Sequence, residues 1–246
     1  MAQTKPRIDV RDIFPELYTQ VSNSLQMSGE EQVCEEIEVK IKLDGAQYAT
    51  FLAWLEQNGQ KEKEVHQKDV YYDKLDPKES FFFLRYDGSS SYIDALRSVR
   101  IRYTRNKIIV NTKLRSINKS SEIVGCEEFE QPKTWEEIET FQKLLAKNEY
   151  IEKLIVEKDR TIYNVNHQDV DIEVALDKVM GLDGVFVELE LKKTNISNNQ
   201  GKKLLYDLLF VLGIQTFTQY KRGYIVILTN PEYNFEERVT LERKKT

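Results

Sequence analysis

Glu36-Ile37-Glu38-Val39-Lys40-Ile41-Lys42-Leu43 splits into two alternating sets, with Glu36, Glu38, Lys40 and Lys42 in one and Ile37, Val39, Ile41 and Leu43 in the other. Side chains of a β-strand point alternately to opposite faces, so this stretch reads as a strand with one charged and one apolar face. The division returns at residues 170–177, where Asp171, Glu173 and Asp177 oppose Val170, Ile172, Val174 and Leu176. It returns again at 185–193, where Glu188, Glu190 and Lys192 oppose Val187, Leu189 and Leu191, and Arg100 and Arg102 oppose Val99 and Ile101. Eight strands are expected, over about 33–43, 65–73, 98–104, 107–115, 122–131, 152–163, 168–177 and 184–193.

Three helices are expected between them. The segment 46–58 carries Phe51, Leu52 and Leu55 on one side and stops at Gly59; 134–147 carries Phe141, Leu144 and Leu145; 200–212 carries Leu204, Leu205, Leu208 and Leu212. Alternation alone is satisfied by a barrel with an apolar interior and its charges in water. The helical stripes need an apolar partner, however, and the outward face of the sheet is the surface large enough to supply one. On that second reading the charges line the inside, where they must pair and share the space with water or ligand. Candidate cations are Lys40, Arg100, Arg102, Lys113, Lys158 and Arg160; candidate anions are Glu36, Glu38, Glu128, Glu130, Asp177, Glu188 and Glu190. A triphosphate carries about four negative charges and travels with a divalent cation, so it calls for both signs in one cavity.

The 246 residues suit one large domain. With 31% charged and 40% hydrophobic residues and a net charge of −5, the chain is neither a disordered polyampholyte nor a bulk nucleic-acid binder, so long nucleic acid is not an expected partner. No apolar run is long enough to span a bilayer, and MAQTKPRIDV lacks the apolar core of a secretory signal, so a cytoplasmic protein without a membrane partner is expected. Cys34 and Cys126 are too few for a disulfide scaffold and read as packed thiols, while His66 and His167 belong to no zinc pattern. A metal would therefore be held by oxygen, which favours Mg2+ or Mn2+. Residues 1–30 read as an appendage whose Val10, Ile13, Phe14, Leu17, Val21 and Leu25 form one face of a short helix beside Pro15. The main domain spans 31–230, with SFFFLRYDGSSS inside an inserted flap or hairpin at 74–97, and 231–246 reads as a tail.

Glu36-Ile37-Glu38-Val39-Lys40 is an ExExK motif, followed in order by DVYYD at 69–73, VRIR at 99–102, Thr112-Lys113, EEFE at 127–130, EKDR at 157–160 and ALDKVMGLDGVFVELE at 175–190. This ordered set resembles the CYTH superfamily of triphosphate tunnel metalloenzymes. The resemblance implies an α+β, mainly antiparallel fold: an eight-stranded closed β-barrel with a charged lumen and helices packed outside. It implies Glu36, Glu38, Glu188 and Glu190 as metal carboxylates, with Glu128 and Glu130 assisting, and Glu36, Glu38, Lys40, Glu128 and Glu130 as the catalytic set. It gives Lys40, Arg100, Arg102, Lys113, Lys158 and Arg160 to the phosphates, and TQYKRGY at 218–224 adds Arg222. Asp177 sits where the family often has an aspartate, to orient an arginine or bind metal. The implied activity is metal-dependent hydrolysis of inorganic triphosphate, thiamine triphosphate or a nucleoside triphosphate. A class IV adenylyl cyclase making cyclic AMP from ATP is the alternative, with Phe81, Phe82, Phe83 and Tyr86 as a candidate adenine platform or a flap anchor. An RNA 5′-triphosphatase, a non-catalytic sensor and a homodimer stay open. Residues 32–35 read Gln-Val-Cys-Glu where many class IV cyclases have a His-Phe pair, and Cys126 replaces a frequent basic residue.

Overall fold

The computed structural model describes residues 36–76, 97–117, 123–192, 196–220, 222–229 and 236–242, with backbone alone at Glu36, Arg97, Ser98, 112–117, 123–129, Lys192 and Asn198. The expected N-terminal appendage, most of the 74–97 insertion, Cys34 and the side chain of Cys126 lie outside the described residues. The strands are β1 (Glu36–Lys42), β2 (Gln60–Lys74), β3 (Arg97–Tyr103), β4 (Ile108–Ile117), β5 (Ile123–Lys133), β6 (Tyr150–His167), β7 (Val170–Val179), β8 (Phe186–Lys192), β9 (Thr216–Tyr220) and β10 (Glu236–Thr240). The helices are α1 (Gly45–Asn58), α2 (Trp135–Lys147), α3 (Asn198–Val211) and α4 (Tyr224–Thr229).

All strands join one antiparallel sheet in the order β10-β9-β1-β8-β7-β6-β2-β3-β4-β5. The α+β, mainly antiparallel expectation holds. Each of the eight expected strands is found; among the described residues the sheet carries two more, β9 and β10, and its ladder runs from β10 to β5 without hydrogen bonds joining the two ends. The two extra strands, Thr-Phe-Thr-Gln-Tyr and Glu-Glu-Arg-Val-Thr, are short and polar and carry no run of alternating apolar residues. Part of the expected tail, 236–240, is thus an edge strand paired with β9.

Local chemistry explains the elements. Each of the three long helices begins with a capping box: Asp44 with Gln47, Thr134 with Glu137, and Ser197 with Gln200, so that side chains satisfy first-turn N–H groups. The β6–β7 hairpin turns on Gln168 and Asp169, with φ of 52° and 61°, the doubly positive pattern that matches strand twist in a two-residue turn.

Ile37, Val39 and Ile41 of β1, and Leu43 just after it, are buried in one cluster with Phe51 and Leu55 of α1 and Leu205, Leu208 and Leu209 of α3. Ile138, Phe141 and Leu145 of α2 bury against Val70, Val99, Ile101 and Val110 farther along the sheet. The long helices thus cover the apolar face, and the alternate positions carry charges on the other. Several of those charges, including Lys40, Asp69, Arg100, Lys158 and Asp177, are nevertheless buried. These charges lie on the face opposite the three long helices, the inner face, and Tyr224 of the short helix α4 covers part of it. Among the described residues no helix is long and apolar enough to cross a membrane.

Candidate functional site

Two ion clusters are built on the inner face by strand register. In the first, Lys40 on β1 stands opposite Glu188 on β8, and Arg160 on β6 stands opposite Asp177 on β7. Lys40 Nζ lies 3.0 Å from Glu188 and 3.2 Å from Glu38. Asp177, with no exposed side-chain surface, accepts from Lys158 Nζ at 2.8 Å, from Arg160 Nε and Nη2 at 2.6 Å each, and from the Tyr224 hydroxyl at 2.8 Å. Arg160 Nη2 also donates to Glu188. The ammonium groups of Lys40 and Lys158 sit 4.4 and 4.9 Å from the centre of the Tyr224 ring, a cation–π arrangement that fixes the start of α4 against the cluster. Phe186 meets Tyr220 and Tyr224 edge-on, at 5.1 and 5.5 Å between centroids, and Val156 and Val179 join them, so an apolar and aromatic patch bounds the charges on this side.

In the second cluster Asp69 on β2 accepts from Arg102 Nε at 2.8 Å, Arg102 Nη2 at 3.0 Å and Arg100 Nη1 at 3.2 Å. Arg100 Nη1 also donates to the Tyr71 hydroxyl at 3.4 Å. Glu130 on β5 accepts from Asn111 Nδ2 at 3.2 Å and lies 3.8 and 4.0 Å from Arg100 and Arg102. The clusters adjoin through Lys158, which bonds Asp177 and is close enough to Asp69 to lower its pKa.

The electrostatics follow from who faces whom. Burial opposes charge on Lys40, but the flanking carboxylates of Glu188 and Glu38 outweigh it and hold the ammonium above the ordinary lysine value. Lys158 goes the other way, pushed down to about 8, because burial and then the adjacent Arg160 outweigh the pull of Glu188 and Asp177. Burial also opposes charge on Asp69, yet Arg100, Arg102 and Lys158 hold it below the usual carboxylate range. Glu188 is held well below that range, against its burial, by Arg160, Lys40 and Lys158. Burial, with Glu188 and Asp177 beside it, drives the Tyr224 hydroxyl well above its ordinary value, so it stays a donor.

Of the residues expected from sequence, the structure brings Glu38, Lys40, Lys158, Arg160 and Glu188 into one cluster and Arg100, Arg102 and Glu130 into the other. Glu190 stands directly across from Glu38 on one side and from Glu173 on the other. Arg222 is half-buried in the bend before α4. The backbone pairs Glu36 with Lys192, and Lys113 with both Ser98 and Glu128; the side chains of Glu36, Lys113 and Glu128 lie outside the described residues. No role is expected for Asp69 from the DVYYD motif, nor for Tyr224 as a partner of Asp177. The signal for Asp69 was present: an acidic residue aligned with the arginine strand that follows it. Tyr224 carried none, because its partner is 47 positions away.

Glu38, Glu190 and Glu173 form a lateral row of carboxylates across β1, β8 and β7. Like charges directly opposite one another destabilise a sheet, and oxygen donors of this kind suit Mg2+ or Mn2+, so a divalent cation fits this donor set. Among the described residues the side chains are not drawn together into a group of three or more ligands around one point.

The model of the CYTH domain matches residues 35–224. The chain belongs to the CYTH domain family. Members of the family are triphosphatases or adenylyl cyclases, and they are metal-dependent in general. Similar solved structures include a protein from Pyrococcus horikoshii OT3, at 22% identity and a TM-score of 0.59, covering 80% of this chain and 99% of that one. A candidate adenylate cyclase from Vibrio parahaemolyticus is 18% identical with a TM-score of 0.53, over 80% and 99% of the two chains. A candidate adenylyl cyclase from Hippeastrum, described as revealing a dominant triphosphatase activity, is 14% identical with a TM-score of 0.55, over 80% and 95%. At these identities the likeness is one of fold. No curated protein matches the chain in sequence.

Proposed function

We propose that this CYTH protein is a divalent-metal-dependent triphosphatase acting on inorganic triphosphate, thiamine triphosphate or a nucleoside triphosphate. The observation that carries the reading is the layering of the inner face. Five cations, Lys40, Arg100, Arg102, Lys158 and Arg160, share that face with the carboxylate row of Glu38, Glu190 and Glu173, two residues along β1 and β8 from the Lys40–Glu188 pair. A polyanion carrying its own divalent cation needs these two adjoining zones.

The aspartates set the geometry. A guanidinium has five N–H donors in a fixed plane. Asp177 takes those of Arg160 Nε and Nη2, and Asp69 takes the same pair from Arg102. Each arginine is therefore locked in plane, and its Nη1 donors are offered to phosphate oxygens without a search through rotamers. Lys40, kept charged by its two glutamates, adds a point charge to the phosphate chain. The expected metal carboxylates Glu36, Glu38 and Glu190, with Glu173 across from Glu190, would hold a Mg2+ or Mn2+ ion, which when bound neutralises charge growing on phosphate oxygens; Glu188, also expected there, is engaged by Lys40 and Arg160. Glu38 keeps 42% of its side-chain surface exposed, so it is open to an incoming cation.

Hydrolysis asks for a phosphate grip and a water. Cyclisation further asks for a base pocket, and Phe81, Phe82, Phe83 and Tyr86 lie outside the described residues. The Hippeastrum relative, named for one reaction and described by the other, sets both against this fold. The test is incubation with inorganic triphosphate, thiamine triphosphate and ATP separately, with Mg2+ or Mn2+, and chromatographic resolution of products. Orthophosphate release supports the triphosphatase, cyclic AMP with pyrophosphate replaces it by the cyclase, and metal-dependent binding without product replaces it by a sensor.

A further inference from the structure

Gln67 has no part in the family motifs quoted above, yet it lies within the charged face. It is on β2 two residues before Asp69, with no register shift between them, so the two share a face. Its cross-strand partner on β6 is Lys158. It keeps 7% of its surface, and its side-chain oxygen is buried without a hydrogen-bond partner among the described residues. Leaving a buried acceptor unmade forfeits its hydration without replacement, so an orphan of this kind in a folded protein calls for a donor that arrives with function.

The chemistry of the face narrows that donor. Phosphate oxygens are acceptors and gain nothing from a carbonyl oxygen. The neighbouring cations hold the aspartates, Lys158 on Asp177 and Arg102 on Asp69, and neither donates to the Gln67 oxygen. What an acceptor among phosphate-binding cations can take is an O–H. Glutamine is also a side chain that orients attacking water in phosphoryl transfer without itself taking up a proton.

We propose that Gln67 is the residue that positions the hydrolytic water, its Oε1 accepting one O–H so that the water's oxygen faces the terminal phosphorus. The inference rests on the triphosphatase reading. In the step, the water oxygen forms the new P–O bond, and the bridging P–O bond breaks with its electron pair on the leaving diphosphate. Both water protons stay on the orthophosphate produced. Gln67 exchanges no proton.

The test compares wild type, Gln67→Met and Gln67→Glu in steady-state hydrolysis of inorganic triphosphate with Mg2+, alongside thermal unfolding. Methionine keeps the length and removes the acceptor; glutamate keeps an acceptor oxygen. The expected result for Gln67→Met is a fall in kcat of about 10²-fold, the scale for removing one oriented hydrogen-bonding group, with KM within about threefold of wild type. Gln67→Glu should recover at least tenfold of that loss in kcat while raising KM. A rise in KM with kcat unchanged in Gln67→Met would assign the amide to phosphate binding and overturn the proposal, as would unchanged kinetics. If Gln67→Met does not fold, a Gln67→Glu variant as slow as the one expected of methionine overturns it equally. A wild type that releases no orthophosphate refutes the parent reading first, which separates the two failures.

Discussion

Replacing Asp177 by Asn should destabilise this protein more than almost any other single change of similar size. The carboxylate is completely buried and receives four hydrogen bonds, from Lys158, twice from Arg160 and from Tyr224. Asparagine has nearly the same volume, so little packing is lost and the effect isolates charge. Its NH2 group would face donors, and two buried cations would lose their shared counter-ion. Breaking a buried ion pair by removing one partner costs about 3–5 kcal/mol. At roughly 2–4 °C per kcal/mol for a chain of this size, the midpoint should fall by about 6–20 °C. The assay is reversible unfolding in urea, checked by thermal melting, on wild type, Asp177→Asn, Lys158→Met and the double variant. The double variant should lose less than the sum of the singles by about 0.5–3 kcal/mol, because the stranded ammonium has gone as well. A loss below about 1 kcal/mol in Asp177→Asn, with strict additivity, would show that these charges are solvated and that the inner face is not the closed ion cluster described above.

Arg100→Ala should leave Asp69 held by Arg102 and fold normally, while KM for inorganic triphosphate rises at least tenfold; an unchanged KM removes Arg100 from the phosphate grip. Lys158 titrates at about 8 in the fold against 10.5 for the ordinary side chain, so in that window the unfolded chain holds the extra proton. The stability of wild type relative to Lys158→Met should therefore rise with pH between those values, and a fall over the same range contradicts the assignment. Asp69 and Glu188 work in the opposite range: both are held below the usual carboxylate values, so their contribution is complete above those values and is lost as acid titrates them, which acid unfolding of Asp69→Asn against wild type will show. Gly201→Ala would put a Cβ 2.4 Å from Ile37 Cδ1 and 3.2 Å from Leu191 Cδ1, forcing α3 off the sheet at a cost of about 1–3 kcal/mol without touching the inner face.

Much of this architecture was legible because charge and hydrophobicity alternate with period two. Ile37, Val39 and Ile41 against Glu38 and Lys40 gave the strand and both its faces, and the three helical stripes said which face had to be covered. Boundaries failed where a second rule took over. Gln60 to Glu64 continue β2 as a solvated extension with no apolar side, so periodicity stopped at residue 65 while pairing with β6 went on. β6 and β7 meet at Gln168-Asp169, a turn pair that lacks the glycine expected there. β9 buries Phe217 in the core and Tyr220 beside the site, but neither belongs to an alternating apolar run in Thr-Phe-Thr-Gln-Tyr that would announce a strand. The cations of the site were readable for the same reason as the strand. Their carboxylate partners were less so, because Asp69 and Asp177 are chosen by cross-strand register, and register is not written in either strand alone.

The most direct test of the account is the rate of orthophosphate release from inorganic triphosphate across a Mg2+ titration, for wild type and for Glu38→Ala and Glu190→Ala with folding verified by unfolding midpoints. Metal-dependent release by the wild type and near-complete loss in both variants, with midpoints little changed, are expected. Full activity in both variants, or a wild type whose rate ignores metal, would contradict it.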